Sequence, residues 1–327
     1  MSATLVSLAV LAGCTDPTPK QVTSTSNLLD APPVPTSGYQ IPFGPFDVKA
    51  GSEVQLCRTF KLPNEDIEAF NRIQIAMAQG SHHFILFRSR FDYPDEVFPC
   101  WGTVNFDEWD FMMDVNKAGG DDWQLDDGQA FIVQPHQQIM IQSHFVNATS
   151  VQSPAGGMAY LNLHKTPLED VKHELHGIFT VNTRIKIPPN GTFTTTKKCT
   201  PSRDINIVAM TGHFHARGVE FKVDKVLNST YPGEEDTNFG TIYDNTNWDA
   251  PTFQLYKPVS VVNGIQEALQ FTCSYDNTNP ASVTFDKTVG FGGHADVQEH
   301  CNLFFQYYET VPKDSDPIKC VEGSGGW

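Results

Sequence analysis

The stretch Thr211-Gly212-His213-Phe214-His215-Ala216-Arg217-Gly218 follows an apolar run, Ile205 to Met210, whose pattern predicts a buried strand. Residues i and i+2 of a strand share a face. His213 and His215 therefore aim two imidazoles at one point, the arrangement a metal site requires. Two surface histidines on an edge strand would show the same spacing, so the pair alone decides little. Its company decides more. Ser81-His82-His83-Phe84, Gln142-Ser143-His144-Phe145 and Glu299-His300-Cys301-Asn302 also set histidine beside strand-like sequence. Imidazoles are good copper ligands, and three per ion leave open positions where dioxygen chemistry can occur. His82 and His83 are neighbours, so a regular strand would point them to opposite faces. Both reach one metal only if the strand starts or bulges there, which Gly80 permits.

The elements that position these residues are strands. Val54 to Phe60, Ile73 to Met77, His82 to Phe87, Gln129 to Val133, Ile139 to Val146 and Met158 to His164 carry short β-branched and aromatic runs. Glu65 to Met77 is the best helical candidate, though it also fits a loop followed by a strand. Asp92 to Asp127 is irregular and holds Cys100, Trp101, Trp109 and Trp123, which predicts loops tied down by a disulfide and aromatic packing. Composition breaks near Lys165 to Lys172. A second series of strands then runs from Gly177 through Thr192 to Cys199, Ile205 to His215, Val219 to Val226, Ala268 to Ser274 and Cys301 to Tyr308. Ile187-Pro188-Pro189-Asn190-Gly191 is a turn signal. The expected organisation is a signal segment over 1–13, a lipidated cysteine and tether over 14–38, and two β domains over 39–170 and 171–327.

At 327 residues the chain is long enough for two cores. A formal charge of −16 with no basic patch argues against a nucleic-acid partner. The 22 prolines and 24 glycines suit an all-β chain. Thr4 to Gly13 is an apolar run too short to span a bilayer, and it ends Leu11-Ala12-Gly13-Cys14, which looks like a bacterial lipoprotein box. Lipidation of Cys14 would anchor the protein to a membrane without spanning it. The expected place is the exported face of a bacterial cell envelope, and a monomer is expected. Setting Cys14 aside leaves six cysteines, Cys57, Cys100, Cys199, Cys273, Cys301 and Cys320, an even number that suggests disulfides in an oxidising compartment. Six cysteines allow about 15 pairings, and sequence alone leaves them open. The sequons at Asn147, Asn190 and Asn228 are most simply chance in a bacterial lipoprotein.

Taken in order, His-His, Gln-x-His, His-x-His and the Cys301-Asn302-Leu303 strand resemble the copper type II, ascorbate-dependent monooxygenases, the family of peptidylglycine α-hydroxylating monooxygenase and dopamine β-hydroxylase. The likeness runs from about residue 40 to 322. It implies an all-β fold of two jelly-roll β-sandwich domains, one copper site each, facing across a solvent-filled cleft. It implies a first copper on His82, His83 and His144, and a second on His213, His215 and the residue before Cys301. It implies the pairs Cys57–Cys100, Cys199–Cys320 and Cys273–Cys301. Gln142 would lie near the route between the coppers. Dioxygen, a small-molecule or peptide substrate, and ascorbate or another external reductant are the implied partners.

Three positions depart from the family. Where the family has methionine before the cysteine, this chain has His300. A thioether suits Cu(I), whereas neutral imidazole is a harder, stronger donor that favours Cu(II) and lowers the potential. The arginine that grips a peptide carboxylate is replaced by Thr211, and a tyrosine by Phe304, while Asn302 is retained. Peptide amidation thus loses its charge-paired recognition. Asn302 and Phe304 are expected at the substrate, in a more apolar pocket. His294 is a weaker candidate ligand. The expected function is hydroxylation of a C–H bond; a non-hydroxylating copper-binding or electron-transfer protein is the alternative, and an adhesive β-sandwich with incidental histidines ranks last.

Overall fold

The computed structural model describes residues 29–327 except 101–103, 106–107, 118, 148–152, 228–236, 279–282, 285–298, 312–317, 319 and 321–327. Cys14, Trp101, Asn228 and His294 lie outside the described residues. Apart from a 3-10 turn at Leu168–Asp170, every described element is a strand. The candidate helix resolves as the strand Glu68–Met77. No helix among the described residues is long and apolar enough to cross a membrane.

The first half forms two sheets. One has six strands, ordered Gly38–Val48, Ser153–Thr166, Glu68–Met77, Gln129–Val133 and His173–Glu174, with Gly120–Gln124 paired to Glu68–Met77. The other has five, ordered Glu96–Pro99, Ser52–Lys61, Gln138–Asn147, Ser81–Ser89 and Trp109–Val115. The second half begins its own sheets at His176. Four strands run in the order His176–Val181, Asn302–Glu309, Ile205–His213 and Gln254–Val262. Four more run Gly191–Cys199, Glu267–Asn277, Gly218–Leu227 and Asn238–Asn245. Each half is a β-sandwich, with inward residues of both sheets forming its core.

Strand alternation shows how the halves meet. In the five-stranded sheet Leu56, Phe84, Leu86, Ile139, Ile141 and Phe145 point into the first sandwich. Their neighbours Cys57, Ile85, Phe87, Phe111 and Met140 point the other way and join Phe304 and Phe179 of the second half in a separate cluster. In the second half Leu303, Phe305 and Tyr307 enter its own core, while Asn302, Phe304 and Gln306 alternate with them. One sheet from each half therefore has both faces covered. Ile205–His213 is buried at every position, as expected when a strand has no solvent face. Trp109–Val115, within the stretch expected to be loop, is a strand for the same reason. With both faces covered it sets Phe111, Met112 and Met113 side by side between Asp110 and Asp114, which leaves no alternation to read.

The junction is tight. Phe304 stacks on Phe179 at 4.2 Å and contacts Phe111 at 5.3 Å between ring centroids. Trp123 of the first half stacks on Phe253 of the second at 3.6 Å. The Gln306 amide donates across the junction to the Met112 carbonyl at 3.2 Å. Gly177 is required by this contact: a Cβ there would lie 2.5 Å from the Phe111 ring and 2.6 Å from its carbonyl oxygen. Three disulfides, Cys57–Cys100, Cys199–Cys320 and Cys273–Cys301, have the pairing that the resemblance implies.

Candidate metal centre

The first histidine set is built by sheet register. His83 and His144 are cross-strand partners on Ser81–Ser89 and Gln138–Asn147. The pairing jumps between Ser81 and His83, leaving His82 as the extra residue of a bulge. Gly80 makes the bulge possible. Its φ of 89° favours glycine, and a Cβ would sit 2.4 Å from the Val146 carbonyl oxygen. That carbonyl strand is held in turn, since the Val146 amide donates to the Gly80 carbonyl at 2.7 Å. With the bulge in place, the donor nitrogens of His82, His83 and His144 lie within 4.8 Å of one another.

The second set is built at strand ends. His213 is the last residue of Ile205–His213 and pairs with Asn302, the first of Asn302–Glu309. His215 and His300 lie just beyond those ends. The His215 ring is 5.0 Å from His213 and 4.4 Å from His300, and His213 is 5.9 Å from His300. Glu299 holds the corner: its carboxylate accepts the backbone amides of His215 and Arg217, each at 3.0 Å. The Arg217 guanidinium lies 3.7 Å from it. The Tyr275 hydroxyl donates to the His300 carbonyl at 2.7 Å. The Cys273–Cys301 disulfide fastens the next residue to Glu267–Asn277.

The two sets face each other, as the resemblance implies, but at ring contact and not across the solvent-filled cleft it also implies, because the two sheets that carry them are packed together. His82 lies 5.5 Å from His213 and 5.7 Å from His215, as near as it is to His83 at 5.7 Å and His144 at 5.4 Å. The donor atoms of His82, His213 and His215 also fall within 4.8 Å of one another.

These rings suit a metal. His82 Nε2, His83 Nε2 and His213 Nδ1 are buried nitrogens with no hydrogen-bond partner, an arrangement that costs stability unless something accepts their lone pairs. Burial, reinforced by neighbouring imidazoles, pushes His82 down to about 3 and holds His83, His213 and His300 well below the ordinary histidine value. They are thus neutral at physiological pH, the form that coordinates metal. His144 shows the supporting contact typical of a ligand: its Nε2 is 2.7 Å from the Glu53 carboxylate, leaving Nδ1 for the cluster.

Other expected site residues stand differently. Gln142 turns its amide to the Cys57–Cys100 sulfurs, at 3.7 and 3.9 Å. Asn302 is buried opposite His213, its Oδ1 without a partner. Phe304, expected at an apolar substrate pocket, is instead sealed in the aromatic junction at 2% exposure. Its place opposite Thr211 on the covered face of the sheet is the cause. Glu53, Glu299 and Tyr275 were not among the expected site residues. Glu299 adjoins His300 in sequence, a signal that was there to use. Glu53 reaches His144 only through the register that sets Gln55 opposite His144, which no local pattern reveals.

Residues 175–322 match the family model described as copper type II ascorbate-dependent monooxygenase, C-terminal domain. No curated protein matches the chain by sequence. Among solved structures, the major capsid protein P2 from Bacteriophage PM2 aligns with 85% of this chain and 100% of its own, at 9% identity and a TM-score of 0.34. The N-terminal CBM22-1-CBM22-2 tandem domain from Paenibacillus barcinonensis Xyn10C aligns with 84% and 83%, at 6% identity and a TM-score of 0.20.

Proposed function

From the match of residues 175–322 to the copper type II ascorbate-dependent monooxygenase C-terminal domain, we propose that the chain hydroxylates a C–H bond using dioxygen and two electrons from an external reductant. Each turnover would place one oxygen atom in the substrate and release the other as water. The observation that carries the proposal is the convergence of imidazoles from both halves: the donor atoms of His82, His83 and His144, and of His82, His213 and His215, lie within 4.8 Å of one another, and the His300 ring is 4.4 Å from that of His215. His82, His83 and His144 would hold one copper; His213, His215 and His300 the other. Copper supplies one-electron chemistry toward dioxygen.

The chain's own part is to hold and to shield. Glu53 fixes the His144 ring, and Glu299 fixes the backbone that presents His215. The aromatic junction around Phe304 packs the strands Ser81–Ser89 and Asn302–Glu309, which lead to the two sets, against each other, and the burial of the imidazoles keeps them uncharged. Thr211 in place of an arginine argues for a substrate without a carboxylate anchor at that point. The three disulfides suit an extracellular or periplasmic setting. The Leu11-Ala12-Gly13-Cys14 sequence supports a lipid anchor on Cys14.

The test is incubation of copper-loaded protein with ascorbate, candidate substrates and labelled dioxygen, read by mass spectrometry. Labelled product supports the proposal. Reduced, copper-loaded protein that never consumes dioxygen defeats it. One observation favours a second reading, a copper protein that carries electrons without hydroxylating: the buried His300 imidazole stands where the family places methionine. A His300→Met variant that gains hydroxylation absent from the parent chain would select that reading.

A further inference from the structure

Where the two halves dock, one buried acid lacks a counter-charge. Asp114 stands on Trp109–Val115 opposite Ile85, on the side of its sheet that faces the second half. It is 1% exposed. Asn116 Nδ2 donates to its Oδ2, while its Oδ1 has no hydrogen-bond partner. Asp114 lines a cleft between the halves that offers about 220 Å³, its mouth included. Asn116 shares its wall, and the second half contributes Thr211, Pro251 and Phe253. Phe253 is fixed by its stack on Trp123 at 3.6 Å.

The polar groups of this cleft call for a donor. The Tyr243 hydroxyl spends its proton on the Thr252 carbonyl at 2.7 Å. In its hydrogen bond with Tyr243 the Thr211 hydroxyl is therefore the donor, and the Thr211 oxygen keeps lone pairs to offer. Lys117, the basic side chain on the cleft, is committed to Asp121 at 2.9 Å. A buried carboxylate without a cation is costly, and burial pushes Asp114 well above its usual range. A bound cation supplies the missing partner. Pro251 and Phe253 add an apolar surface that suits carbon rather than the hydration shell of a metal ion.

We propose that this cleft binds the cationic end of an organic amine, with Asp114 as its anchor, Thr211 as a second acceptor, and Pro251 and Phe253 against the carbon beside the nitrogen. Pockets that enclose a whole small molecule run to about 300–1,000 Å³, so this one takes a head group and leaves the remainder of the ligand outside. Thr211 lies two residues before His213 on the same face of Ile205–His213, a separation of about 7 Å. The anchored group is thus held beside the histidine cluster. The site stands on this geometry alone; that its occupant is oxidised there rests on the copper reading above.

Calorimetric titration of the full chain with propylammonium chloride tests the site, with 1-propanol and potassium chloride as controls. The expected result is saturable propylammonium binding, with 1-propanol and potassium each weaker by about 10-fold or more. Asp114→Asn keeps the shape and removes the charge, and should weaken propylammonium by about 10-fold or more. Thr211→Val should weaken it by a smaller factor, and serves as the check if Asp114→Asn does not fold.

Equal binding of 1-propanol or potassium, or unchanged propylammonium affinity in these variants, would overturn the proposal while leaving the copper reading intact. Copper-loaded protein that oxidises an amine, with KM raised in Asp114→Asn and kcat little changed, would uphold the site and assign its occupant as the substrate. Amine binding to reduced, copper-loaded protein that never consumes dioxygen would uphold the site and defeat only hydroxylation.

Discussion

The two histidine sets reach the same cluster by different means. His82, His83 and His144 sit within or beside continuous ladders, and one bulge over Gly80 is the only irregularity they need. His215 and His300 sit beyond strand ends, held by the Glu299 carboxylate, the Tyr275 hydroxyl and the Cys273–Cys301 disulfide. A ladder spreads its restraint over many backbone bonds. A corner concentrates it in a few side chains, so single substitutions should cost more there. What the sets share is burial of neutral imidazole.

Acidification should strike both sets together and have the largest effect. Six histidines, His82, His83, His164, His176, His213 and His300, have folded-state values held below 6.5. Burial is the leading cause in each; His176, at about 4, is lowered further by Arg88 and Arg203. As pH falls below 6.5 the unfolded chain takes up protons at these histidines that the folded chain refuses, so stability drops. Burial raises Glu299 to about 7 and Asp114 well above its ordinary value, and these two carboxyls work the other way. The histidines outnumber the carboxyls, so the net effect is a loss of stability as pH falls from roughly 6.5 to 4.5. Urea unfolding of the metal-free protein across that range checks it; stability that is flat or rising on acidification would contradict it.

The remaining substitutions separate the sets. Converting Cys273 and Cys301 to serine opens a loop of 28 residues and should cost about 3.5 kcal/mol. Copper at the second set should be lost before copper at the first. Glu299→Ala strands two buried backbone amides and should cost about 2–3 kcal/mol, again with selective loss at His215, seen by copper titration. Gly80→Ala attacks the first set through its bulge. It should cost about 1–3 kcal/mol and weaken copper at His82 and His83 while sparing the second set. Glu53→Gln should have the smallest effect on folding, with copper affinity at His144 reduced by about 10–100-fold. Equal loss at both sets in any of these variants would erase the contrast between ladder and corner.

Much of this was legible in the sequence. The all-β class followed from β-branched and aromatic runs, and the His213-Phe214-His215 spacing followed from strand geometry alone. The requirement for a bulge at His82-His83, with Gly80 beside it, followed from the same rule. Trp109–Val115 was hidden because a strand covered on both faces has no alternation to show. Phe304 was misplaced because its environment comes from Phe111 and Phe179, distant in sequence and brought together by docking of the halves. Glu53 was invisible for a similar reason: its contact with His144 depends on register between strands 91 residues apart.

X-ray absorption at the copper edge of the fully loaded protein tests the central claim most directly. The account predicts two coppers per chain, each surrounded by about three imidazoles and no sulfur, with no sulfur appearing on either ion after reduction. Sulfur in the first shell, or a copper shell unchanged in His300→Ala, would contradict it.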